Sequence, residues 1–216
     1  MQTEVVKMKN INTIIWDFNG TILDDIDLCL FVLNSMLKKR NLPEKSIEEY
    51  REIFGFPIKE YYIKAGFDFE KEPYEEIAPD FVELYFGNTH KYSVFDDFIK
   101  FQQNIKNKPL TQILLSATRE DLLLNQIKEL GISEYFDHVI GTNDIFAHGK
   151  IERAKIYFKE NNIDLKDAVL IGDTIHDFDV SRELCCPCVL YNKGHQSIAR
   201  LEKTGCKIIS SFNEIL

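Results

Sequence analysis

Beyond about residue 93 the chain alternates short apolar runs with longer stretches in which apolar residues recur every three or four positions. The runs at 112–115 (QILL), 138–140 (HVI), 168–171 (AVLI), 188–191 (CVLY) and 207–209 (KII) predict strands. The stretches at 119–130, 150–161, 175–184 and 197–203 predict helices, with Gly131 and Gly205 where helix-ending glycines belong. Strand and helix in regular alternation predict βαβ units, and therefore a parallel sheet covered on both faces.

One earlier run, 13–16, predicts a further strand, yet the next clear one begins only at 112, a gap too long for a single crossover. The pattern in between is helical. Asp24 or Asp25 is placed to cap a first helix, Ser46 with Glu49 spells a capping box, and Pro73 suits a helix start. The many aromatic residues there, among them Phe54, Phe56, Tyr61, Tyr62, Phe81 and Tyr85, predict the core of a small helical domain. The expected architecture is α/β: a Rossmann-like three-layer parallel-sheet core from 1–22 and 96–216, with an inserted helical cap from 23–95. The break FGFP at 54–57 reads either as a cap loop reaching over the site or as an ordinary helix–helix turn.

Composition narrows the partners. With 216 residues the chain is long enough to bury a substantial core, and its formal charge of -9 disfavours nucleic acid and anionic membrane surfaces. No apolar run approaches the roughly 20 residues needed to cross a bilayer, and the amino terminus lacks the apolar segment of a signal peptide, so a cytoplasmic protein is expected. Five cysteines, an odd number, fit reduced thiols. Cys185 to Cys188 spells C-x-x-C, but without a second pair it reads as the approach to a buried strand rather than a metal or redox site. Oligomeric state has no signature in the sequence.

In an open parallel sheet, functional groups collect at the carboxyl ends of the strands. Asp17, Ser116, Lys150 and Asp173 all fall there. Asp173 and Asp177 stand four apart, so a helix starting between them turns both carboxylates one way. With Asp17 they offer an all-oxygen site suited to Mg²⁺; taken alone, the pair also fits a helix cap and a surface acid.

Asp17-Phe18-Asn19-Gly20-Thr21, the Ser116 that closes a strand, Gly149-Lys150, and Gly172-Asp173-Thr174 with Asp177 resemble, in order and spacing, the four motifs of the haloacid dehalogenase-like hydrolase superfamily. The resemblance spans nearly the whole chain and is nearest the phosphoglycolate phosphatase-like branch. It implies a phosphatase acting on a small phosphorylated metabolite, with Asp17 as the nucleophile that becomes an aspartyl-phosphate. It also implies Mg²⁺ held by Asp17, the main-chain carbonyl of Asn19 and Asp173, with Asp177 in support. Lys150, the Ser116 hydroxyl and main-chain N–H groups of Phe18 to Thr21 and Ala117 would hold the phosphoryl oxygens.

Asn19 departs from the family pattern, in which that position is usually the aspartate that protonates the leaving group and later activates water. An amide does neither. General acid–base catalysis supplies on the order of 10²- to 10⁴-fold, so the expectation is a slowed or leaving-group-selective phosphatase, against the alternative of a non-catalytic phosphate-binding or regulatory module. Replacements for the missing acid are sought in Asp24, Asp25 and His176, with Asp24 read as the helix cap and His176 as a solvent-facing loop residue. Gly194-His195-Gln196 reads either as an approach to the rim of the site or, in preference, as a plain loop.

Overall fold

The computed structural model describes residues 11–143 and 150–215. The expected runs pair as one six-stranded parallel sheet in the order β5-β4-β1-β6-β7-β8. Its strands are β1 (Thr13–Trp16), β4 (Thr111–Arg119), β5 (His138–Thr142), β6 (Ala168–Gly172), β7 (Cys188–Tyr191) and β8 (Lys207–Ile209). Because both faces are covered, the central strands carry short continuous apolar runs, such as AVLI in β6 and CVLY in β7, rather than alternation. Ile14 and Trp16 point to the side covered by α5 (Asp96–Ile105) and α6 (Glu120–Glu129). Ile15 points to the side of α7 (Lys150–Glu160), α8 (Ile175–Glu183) and α9 (Ile198–Leu201). The α/β, three-layer expectation is met.

Trp16 anchors the first layer. It is fully buried, meets Phe98, Phe101 and Phe212 edge-on at 5.3 to 5.5 Å, and donates its indole N–H to Gln112 Oε1 at 3.0 Å. A ring this large with its one polar group satisfied buries much apolar area at no hydrogen-bond cost.

Between β1 and β4 the chain leaves the sheet through α1 (Ile26–Lys39), α2 (Ile47–Ile53), α3 (Ile58–Ala65) and α4 (Tyr74–Phe86). These helices have their own apolar cluster, from Leu28, Val32 and Met36 of α1 to Tyr61, Tyr62, Ile77 and Tyr85. The capping box of Ser46 and Glu49 opens α2, and Pro73 stands at the N-cap of α4, as the sequence predicts. Arg40, just beyond α1, ties the bundle together through Glu72 and Asp80. The sequence gives no sign of a two-stranded antiparallel ribbon, β2 (Leu23–Asp24) with β3 (Ser93–Val94), through which the chain both enters and leaves this excursion.

β1 lies at the centre of the sheet, and the chain turns from it to β4 on one side and to β6 on the other. This reversal of direction opens a crevice at the carboxyl ends of the strands, where ligands of such sheets bind. Asp17 stands at the head of it.

Candidate active site

Asp17 follows β1 directly. Lys150, fully in the interior at the start of α7, donates to Asp17 Oδ1 at 2.5 Å and to Asp177 Oδ1 at 2.9 Å. Gly149, paired with it in the sequence motif, lies outside the described residues, as do residues 1–10. Asp173, at the end of β6, accepts from the His195 main-chain N–H at 2.6 Å. Ser116 is buried within the same crevice, and its hydroxyl accepts the Thr118 N–H at 3.1 Å. The strand does not close at Ser116 but runs on to Arg119, with its register to β5 broken between Leu115 and Arg119. That irregularity, not a strand end, sets the Ser116 hydroxyl beside the acids.

Asp177 performs both of the roles its position allows. Thr174 is the N-cap of α8, and Asp177 Oδ2 accepts the Thr174 N–H and hydroxyl in a reciprocal capping box, while Oδ1 takes Lys150. Both of its oxygens are therefore engaged by protein. Asp17 Oδ2 and Asp173 Oδ1 are not so well served: each approaches the Thr21 hydroxyl, at 3.3 and 3.2 Å, and a hydroxyl has one proton to give.

Three carboxylates, from Asp17, Asp173 and Asp177, thus stand within 4.8 Å of one another, and the Lys150 ammonium pairs with two of them, Asp17 and Asp177. Burial, then the charge of Asp177, push Asp17 up to about 6 in spite of Lys150. Burial also pushes Asp173 up to about 8, against the opposing pull of His195 and with Asp17 and Asp177 adding to the rise. Burial raises the Asp177 carboxyl, but Lys150, His176 and the Thr174 hydroxyl together hold it below the usual carboxylate range. A hard divalent cation with oxygen ligands fits this donor set: two carboxylate oxygens sharing one hydroxyl proton, in a trio with excess negative charge. Gly194 is required here, since a side chain would bring Cβ to within 2.2 Å of Asp173.

The backbone cradle is narrower than the sequence implies. The Gly20 N–H donates to Leu23 O at 2.8 Å and to Asp25 Oδ1 at 3.0 Å, and the Thr21 N–H donates to Phe18 O at 3.2 Å. The Phe18 main-chain N–H also favours the charged form of Asp17.

Asn19 is the hinge between two halves of the site. Its Nδ2 donates to Asp25 Oδ2 at 2.8 Å and to the Tyr85 hydroxyl at 3.0 Å, and its Oδ1 accepts from Thr118 at 3.1 Å. Asp25 occupies the N-cap position of α1, but its side chain makes no capping bond. It accepts instead from Tyr85 at 2.6 Å and pairs with His195 Nε2 at 3.2 Å, while His195 Nδ1 meets the Tyr50 hydroxyl at 2.7 Å. Burial raises the Asp25 carboxyl, but His195, Tyr85 and Asn19 together hold it below its ordinary value. The same pairing holds His195 above its ordinary value against burial.

Several expectations are corrected by this network. Neither Asp24 nor Asp25 caps α1 with its side chain; Asp25 has a buried charge to satisfy and finds His195. The 194–196 loop is not plain, for His195 and Gln196 are both buried and Gln196 Nε2 donates to Phe54 O at 2.9 Å. His176 is half-buried rather than solvent-facing, its ring stacked on Phe56 at 4.4 Å. The 54–57 break resolves in favour of the loop over the site: Phe54 and Phe56 line the crevice with Asp17, Ser116 and Lys150. A pair as distant as residues 25 and 195 leaves no periodic signal. The one available hint was a second acid at position 25 shortly after a motif lacking its own.

Residues 14–190 match the haloacid dehalogenase-like hydrolase family. The chain belongs to that family. The branch suggested by its motifs is matched too: it is 25% identical over 206 residues to a phosphoglycolate phosphatase of Nitrosococcus oceani, covering 87% of this chain and 88% of the relative. A phosphoglycolate phosphatase of Rhodobacter capsulatus is 21% identical over 187 residues, covering 85% of each chain. Among solved structures, a haloacid dehalogenase-like family hydrolase of Streptococcus pneumoniae superposes with a TM-score of 0.82 at 18% identity, over 95% of this chain and 97% of that one. Protein tyrosine kinase A of Mycobacterium tuberculosis gives 0.80 at 17% identity, over 96% and 97%. These likenesses establish the fold, and they join proteins named as hydrolase and as kinase.

Proposed function

We propose that this chain is a Mg²⁺-dependent phosphatase of a small phosphorylated metabolite, working through an aspartyl-phosphate on Asp17. Residues 23–95 serve as a cap over a core of 1–22 and 96–216. The observation that carries the reading is the Asp17 carboxylate, fixed by Lys150 at the head of the crevice and facing Asp173 and Asp177. The family and the names of the relatives support it. Five free thiols suit a reducing compartment, and we place the protein in the cytoplasm. Among the described residues no helix is long and apolar enough to cross a membrane.

In the first half-reaction an Asp17 oxygen forms a bond to phosphorus and the bond from phosphorus to the ester oxygen breaks, the electron pair leaving with that oxygen. In the second, water attacks phosphorus, the bond to Asp17 breaks, and inorganic phosphate leaves. Lys150 orients the nucleophile and offsets the charge of the transferring group, and the Ser116 hydroxyl and the Asn19 and Ala117 N–H groups are its hydrogen-bond donors. Asp17, Asp173 and the Asn19 carbonyl would hold the metal, with Asp177 steadying Lys150 and the start of α8. Bound there, Mg²⁺ supplies positive charge that lets a carboxylate approach an anionic phosphate.

Asn19 has no proton to give at neutral pH, and both its amide hydrogens are already spent on Asp25 and Tyr85. The leaving oxygen departs unprotonated, so acyl and aryl phosphates react faster than alkyl ones. The saturated Asn19 is also what favours the second reading, a phosphate-binding module without turnover. A phosphatase screen with Mg²⁺ and with chelator, combined with trapping of phosphoenzyme after acetyl phosphate, decides between them. Metal-dependent phosphate release and label on Asp17 are expected; phosphate binding with neither would establish the module.

A further inference from the structure

The cap and the core enclose a second cavity of about 170 Å³, continuous with the acidic crevice through Asn19, Ala117, His195 and the rings of Phe54 and Phe56. Tyr61, Phe81 and Val82 of the helical excursion and Leu122 of α6 form its far walls. An apolar cavity of about 150 Å³ accommodates a benzene ring. Resting on the phosphatase reading above, we propose that the ester accepted here carries an apolar, ring-bearing leaving group, seated in this cavity while its phosphate meets Asp17.

Charge on the walls argues for the same occupant. Asp25 is the buried carboxylate facing the cavity, and its charge is matched by His195. The remaining cationic side chain on the walls, Arg119, is half-exposed and committed to Asp121 through two contacts of 2.6 and 2.8 Å. A substrate carrying a carboxylate besides its phosphate, as phosphoglycolate does, would bring it beside Asp25 with no free cation among the lining residues, and an unpaired buried charge is strongly disfavoured. A ring, in contrast, exchanges water for aromatic and aliphatic walls.

The test compares benzyl phosphate with phosphoglycolate, two primary alkyl phosphates with alkoxide leaving groups of similar basicity, and uses acetyl phosphate as a reference that does not need the cavity. With Mg²⁺, kcat/KM for benzyl phosphate should exceed that for phosphoglycolate by about 10- to 100-fold. Val82→Lys, which sets a cation on the cavity wall, should shrink that ratio about tenfold or more. A readout independent of turnover and of that variant's folding is thermal stabilisation of wild type: benzylphosphonate should raise Tm more than phosphonoacetate. Acetyl phosphate hydrolysed, but benzyl phosphate no better than phosphoglycolate and the two phosphonates equal, would overturn the cavity assignment while the phosphatase stands. Hydrolysis of none of the three, with no phosphoenzyme, would overturn both.

Discussion

The two spaces that meet at Asn19 are made of opposite materials. On the core side three carboxylates crowd one lysine, and the charge is left unbalanced. On the side of the helical excursion one carboxylate faces one histidine, two tyrosine hydroxyls and an amide satisfy what remains, and aromatic and aliphatic side chains make up much of the wall. The first is a site held short of electrostatic balance, as a place for a cation and a phosphate must be. The second is already balanced and largely apolar, as a place for an apolar group must be. Stability is spent on one side and recovered on the other.

The sharpest way to break the contrast is to remove the nucleophile. Asp17→Asn should lower phosphate release from acetyl phosphate by about 10⁴-fold or more and abolish the acid-stable label on the enzyme. Since it also relieves repulsion in the trio, its Tm without metal should rise; a fall would mean that Asp17 is a net stabilising ion pair. Lys150→Met attacks the same side from the other sign. It leaves Asp17 and Asp177 buried without their cation and should cost about 3–5 kcal/mol by denaturant unfolding.

A smaller effect separates the two halves at their junction. Asn19→Asp alone would put a second carboxylate where an amide now donates to Asp25 at 2.8 Å, so the substitution restores an acid only by creating a repulsive buried pair. Asn19→Asp with Asp25→Asn exchanges the two groups and keeps one charge. Alkyl phosphate turnover should rise by up to about 10²-fold in the double variant and less in the single. Equal rates in the two would show that the Asn19–Asp25 contact places no limit on acid catalysis.

The mildest test uses pH. Asp17 at about 6 and Asp173 at about 8 lie above the ordinary 3.8, so without metal the native state holds their protons more tightly than the unfolded chain. The stability this provides is complete below about pH 4 and is lost as pH rises through 6 and then 8. Mg²⁺ replaces those protons, so the gain in Tm on adding it should grow from pH 6 to pH 8.5 and vanish in Asp173→Ala. A gain independent of pH would place the ion away from this trio.

What could be read from the sequence follows from how far apart the interacting residues lie. β7 matches its apolar run residue for residue, because a strand buried on both faces announces itself locally. Asp17, Lys150 and Asp173 were legible because each follows or opens its own regular element, whereas Ser116 lies inside β4 and was legible only through the apolar run before it. The Asp25–His195 pair was not, since it joins the first turn of α1 to a loop after β7 and is selected by burial alone. For the same reason Asp25 passed for a helix cap: an acid before a helix has a local use by default, and only the tertiary structure reveals a stronger one.

The ribbon of Leu23–Asp24 with Ser93–Val94 bears on how such a chain is assembled over evolutionary time. The two points where the helical excursion departs and returns are hydrogen-bonded neighbours, Leu23 opposite Val94 and Asp24 opposite Ser93. Chain-closure entropy grows only logarithmically with the length between such points, by roughly 0.6 kcal/mol per doubling. The core can therefore exchange one excursion for a longer, shorter or differently folded one across the same junction without shifting a strand of the sheet. Nucleophile and specificity can then be inherited separately.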